Sequence, residues 1–159
     1  MSIDFLKQYH TLDKFAIEQI LPLKHCPTKR SFYIEELLFP DEEIVNVKKY
    51  IVKMNVLRYK VFEKNIDCYN CGVVGSFFLL QQHIKMNKCT KDNVAHLNLY
   101  AEDLNNINGG NLILMTQDHI IPTAKGGINH LNNLKTMCAV CNLNKADSIV
   151  ESDDYCAFK

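Results

Sequence analysis

Between Asp118 and Lys145 the chain reads DHIIPTAKGGINHLNNLKTMCAVCNLNK. The residue types in this run suit hydrolysis of a phosphodiester. That reaction needs an activated water, a cation near the scissile phosphate and help for the leaving oxygen. His119 is the candidate general base, because an imidazole held in the right tautomer can take a proton near neutral pH. Asp118, its neighbour in a strand, projects to the opposite face unless the strand ends there. It could hold a divalent cation while His119 addresses water. The amide oxygen of Asn142, at the expected start of a helix, is the candidate second ligand. Oxygen donors of this kind suit Mg2+ or Mn2+ better than zinc. Asn133 lies in the loop between, placed either to fix the loop or to orient the His119 ring.

The same run carries a second chemistry. Cys138 and Cys141 form a CxxC unit, and Cys68 and Cys71 form another upstream. Four thiolates are the closed tetrahedral set of a structural zinc site. The other reading of such a unit is redox activity or simple burial. Two units flanking one compact segment favour the metal, whose part is then folding rather than chemistry. Of the seven cysteines, Cys26, Cys89 and Cys156 belong to no motif.

The elements that position these residues can be read coarsely. Asn and Gly crowd the segment LNNINGGN, which suits a hairpin connection between strands at about 94–103 and 111–121. Asp118 and His119 then fall near the end of the second strand. A loop follows, and a helix is expected from about Val140. GSFFLLQQHIKMNKC is apolar and then polar, which fits a strand followed by a short helix or loop. Upstream, residues 12–21 look helical up to Pro22, and SFYIEELLF at 31–39 fits a strand or a short helix equally well. After Pro40, residues 41–64 place apolar side chains at roughly helical spacing, with Asp41 as a plausible cap.

At 159 residues the chain is long enough for one domain, or for a small module with an extension. Its formal net charge is zero, yet Lys48, Lys49, Lys53, Arg58, Lys60 and Lys64 face only Glu63 between positions 48 and 64. This local excess suits either the solvated side of a packing helix or a contact to nucleic-acid phosphates. No stretch approaches the roughly 20 apolar residues of a membrane span. The charged, broken N-terminus does not read as a signal peptide, so a reducing cytoplasmic setting is expected.

CxxCG, DHIIP, KGG, NL and CxxCN followed by Lys together resemble the HNH endonuclease family, the ββα-metal nucleases, over roughly residues 58–147. The overall style is most similar to stand-alone HNH proteins of bacteriophages. The resemblance implies an α+β, treble-clef-like nuclease module. It casts His119 as general base, Asp118 and Asn142 as ligands of the catalytic cation, and Asn133 as the residue that shapes the loop and positions the base. Lys145 matches a lysine that meets phosphate, with Lys125 and His130 of the Gly-Gly loop as further substrate contacts. A solvent-exposed loop position is the plainer reading of His130. About 46 residues separate Cys71 from Asp118, longer than the usual spacer, so an insertion is expected at about 76–110.

The expected organisation is therefore a mostly helical N-terminal extension (1–57), whose basic helix runs on to about residue 64, then a nuclease module (58–150) and a short tail (151–159). The expected activity is hydrolysis of DNA, one strand per site, so that cutting both strands requires a homodimer or a second event. The alternative is a zinc-stabilised nucleic-acid-binding module without catalysis. A redox protein is a distant third.

Overall fold

The computed structural model describes residues 9–21, 29–37, 45–54, 56–83 and 93–146. Chain contacts divide it into two units, one built from 56–77 and 99–146, the other from 9–54 and 78–98.

The second unit is mainly sheet. Strands β1 (Tyr9–Ala16), β2 (Lys29–Leu37), β3 (Val45–Lys53), β4 (Phe77–His83) and β5 (Val94–Ala101) follow the order β1-β4-β5-β3-β2. One short helix, α1 (Ile17–Ile20), follows β1. β2 and β3 form an antiparallel ribbon that pairs Lys29 with Lys53 at one end and Leu37 with Val45 at the other. Phe32 lies opposite Tyr50, and both are buried with Val52. Gln81, fully buried, donates to Thr11 Oγ1 at 3.0 Å and accepts from Asn98 at 2.9 Å, so its amide is satisfied inside the core.

Here the expected helical extension is corrected. Residues 45–53 are a strand, and among the described residues of 41–64 the helix is α2 (Leu57–Lys64) alone. Residues 9–16 are likewise a strand, leaving one helical turn of the expected helix at 12–21. Val45, Val47, Ile51 and Val52 are β-branched and suit a pleated surface. β2 supplies the partner that a local reading cannot see. Lys48, Lys49 and Lys53 accordingly sit on β3, and Arg58, Lys60 and Lys64 on α2, rather than along one helix. The expected cap Asp41 and the tail from 151 lie outside the described residues.

The first unit holds the ββα arrangement. β6 (Ile113–His119) pairs antiparallel with the end of β5, Tyr100 facing Leu114, as the Asn-Gly connection suggests. Asn106, Gly109 and Gly110 of that connection have φ of 54°, 71° and 78°. Asp103 holds it by accepting backbone N–H groups of Ile107, Asn108 and Gly110. β7 (Leu134–Cys138) runs antiparallel to β6 and leads directly into α3 (Ala139–Lys145). Phe62, Leu99, Tyr100, Ile113, Met115 and Met137 form the buried centre.

Candidate metal centre and active site

The four cysteines arrive from two turns. Cys68 and Cys71 sit on a knuckle closed by the N–H of Gly72 donating to Cys68 O at 2.8 Å, with Gly72 at φ 75°. Cys138 ends β7, and Cys141 lies in the first turn of α3. Their sulfurs all lie within 4.8 Å of one another, and Cys71 Sγ is 3.8 Å from Cys138 Sγ. Tetrahedral zinc with bonds near 2.3 Å sets its sulfurs about 3.8 Å apart, so the geometry fits that ion.

The surroundings are also built for thiolates. The backbone N–H of Cys141 donates to Cys138 Sγ at 3.4 Å, and Asn70 Nδ2 donates to Cys141 Sγ at 3.3 Å. A hydrogen bond from Cys138 draws the Cys68 thiol well below its ordinary range, and the same contact pushes Cys138 above it. Burial raises Cys71 to about 11. A bound cation would favour deprotonation at all four.

The oxygen donors lie on β6 and α3. Thr116 and Asp118 are two residues apart on β6 and share one face of it. Asn142 Nδ2 donates to Thr116 Oγ1 at 3.2 Å, and that hydroxyl donates to Met137 O at 2.8 Å. The Asn142 amide is thereby turned toward the face that carries Asp118, with its oxygen kept as an acceptor.

Asp118 Oδ2 is already the focus of two donors. Lys145 Nζ bonds it and also the backbone oxygen of His119. The side chains of Lys145 and Asp118 are only 5% and 13% exposed. Tyr69, between the two knuckle cysteines, donates its hydroxyl to the same oxygen at 3.3 Å. Burial, then the Asp118 charge, hold the Tyr69 phenol above its usual range, so it stays protonated as a donor. The Lys145 ammonium thus neutralises the Asp118 carboxylate in a largely buried setting.

His119 closes β6 opposite Leu134. Its Nε2 is buried and has no hydrogen-bond partner among the described residues. A buried nitrogen without a partner carries the full desolvation cost of the group, and Gln117 Oε1, two residues earlier on β6, is in the same condition.

Asn133 supports the loop that carries the chain from His119 back to β7. Its Oδ1 accepts from Ile121 N at 2.9 Å, and its Nδ2 donates to Ile121 O and Ile128 O, both at 3.0 Å. Of the two roles considered for Asn133, these bonds serve the loop. The Gly-Gly pair follows from the same geometry. Gly126 has φ 86°, and a Cβ on Gly127 would stand 1.8 Å from Ile121 O.

The structure thus brings Lys145 onto Asp118 and ties Asn142 to Thr116, two residues before Asp118 on β6, while His119 follows Asp118 at the strand end. Lys125 and His130 are exposed on the loop, the latter accepting from Asn132 N at 3.3 Å. Tyr69 and Thr116 were not singled out from the sequence. The alternation of a strand would have linked Thr116 to Asp118. No local signal links Tyr69 to a carboxylate 49 residues away.

The four cysteines on a strand–strand–helix unit are positioned to hold a metal ion. Residues 109–152, which include β6, the loop, β7 and α3, match the family model described as HNH endonuclease. No curated protein and no solved structure matches the chain.

Proposed function

We propose that the chain is a metal-dependent endonuclease that hydrolyses phosphodiester bonds of DNA. The buried, unpartnered Nε2 of His119, the residue that follows Asp118 at the end of β6, carries this reading, and the match of residues 109–152 supports it. His119 accepts the proton of the attacking water and is held at the strand end by the pairing with Leu134. Asn133 keeps the following loop clear of the site. Mg2+ or Mn2+ bound by Asp118 and Asn142 would stabilise the charge that develops on the scissile phosphate and its leaving oxygen. Zinc on Cys68, Cys71, Cys138 and Cys141 serves folding. Lys125 and His130, both exposed on the loop, would meet substrate. Lys145 acts on substrate only if its ammonium leaves Asp118. Each site cuts one strand, so a double-strand break requires a homodimer or a second event.

The test is supercoiled plasmid with Mg2+ or Mn2+. Wild-type protein is expected to nick it. His119→Ala is expected to slow nicking by roughly 10²- to 10⁴-fold, the usual weight of a general base. Zinc content should be unchanged. Unaltered nicking by His119→Ala would remove His119 from the role.

One observation favours a second reading. The Lys145 ammonium already neutralises Asp118, as it would in a module that binds nucleic acid without cutting it. Nicking by wild-type protein, lost in His119→Ala, contradicts that reading.

A further inference from the structure

We infer that Tyr69 is a positioning residue that ties the zinc clip to the cation-binding carboxylate, an inference that rests on the cation site proposed above. Tyr69 is an inner residue of the Cys68–Cys71 unit, so its backbone course is set by the two sulfur ligands on either side. The knuckle is docked on β7 as well, through Tyr69 N donating to Thr136 O at 3.1 Å. From that fixed base the phenol donates to Asp118 Oδ2 at 3.3 Å.

The same oxygen takes the Lys145 ammonium. Two donors on Oδ2 fix the rotation of the carboxylate and leave Oδ1, which has no partner among the described residues, as the oxygen turned outward to a cation. The two donors differ in kind. Lys145 is a cation and must compete with an incoming metal for the negative charge. Tyr69 is a neutral donor, so it can keep its bond while the metal is bound. A hydrogen bond of this sort orients a ligating carboxylate without taking its charge. The zinc clip would then set the geometry of the hydrolytic site in addition to holding the fold.

Tyr69→Phe removes the hydroxyl and keeps the ring. Zinc-loaded full-length wild type, Tyr69→Phe and Asp118→Asn are compared by isothermal titration with Mn2+. Zinc content and thermal unfolding are measured on the same samples. Tyr69→Phe is expected to bind Mn2+ about tenfold more weakly, a shift usual for the loss of a group that orients a ligand. It should retain one zinc and the wild-type melting temperature. Nicking should recover at raised Mn2+, because the fault is in metal binding rather than in proton transfer. Asp118→Asn is expected to abolish the same binding event.

Wild-type affinity in Tyr69→Phe, with Asp118→Asn inactive in binding, would overturn the inference and leave the proposed cation site standing. No Mn2+ binding by wild type, or equal binding by wild type and Asp118→Asn, would overturn both. A loss of zinc or of stability in Tyr69→Phe would show that the hydroxyl serves only the fold.

Discussion

Within the first unit, the cysteine cluster and the Asp118 cluster share α3 and the Cys68–Cys71 knuckle but are finished to different degrees. The cysteine cluster is complete in itself, with four sulfurs converging at zinc spacing and N–H donors already aimed at two of them. The Asp118 cluster is closed only provisionally. Its charge is met by Lys145, and the adjoining His119 Nε2 meets no partner among the described residues. A structural ion is best held by a set that excludes everything else, including water and substrate. A hydrolytic site must accept a cation and a phosphate and then release the product, so its groups are held without being saturated. On the proposed reading, the two clusters divide these tasks within one strand–strand–helix unit.

The comparison can be broken hardest at the clip. Cys138→Ser removes one of four thiolates that structural zinc requires, and structural zinc contributes on the order of 10 kcal/mol in small modules. Zinc content is expected to fall with stability, and nicking to vanish with both, as read by elemental analysis and thermal unfolding. Full stability with the zinc lost would show that the clip is dispensable. A smaller change sharpens the other side. Gly127→Ala drives a methyl into Ile121 O and displaces the loop after His119. The expected cost is roughly 1 to 3 kcal/mol of stability, with nicking reduced while zinc is retained. Nicking at the wild-type rate would mean that the loop does not shape the site.

What could be read in the sequence followed the same line. The cysteine spacing, the Asn-Gly connection before β6 and the helix after Cys138 are local signals, and the structure shows each of them. They were legible because a turn, a CxxC unit and a strand-to-helix junction are specified within a few residues. Residues 45–53 were not legible as a strand, because the periodicity of VNVKKYIVK admits a helix until β2 supplies the opposing ladder. The basic run dissolved for the same reason, its charges being divided between β3 and α2. Lys145 matched a phosphate-binding position, yet its ammonium lies on Asp118. That pairing depends on how α3 sits on β6, which spacing alone does not encode.

The division into a closed zinc site and an open hydrolytic site is tested most directly by Asp118→Asn, with zinc content and Mg2+-dependent plasmid nicking measured on one preparation. The variant is expected to hold one zinc per chain, as in wild type, with nicking lost. Zinc disappearing together with nicking, or nicking persisting in the variant, would contradict it.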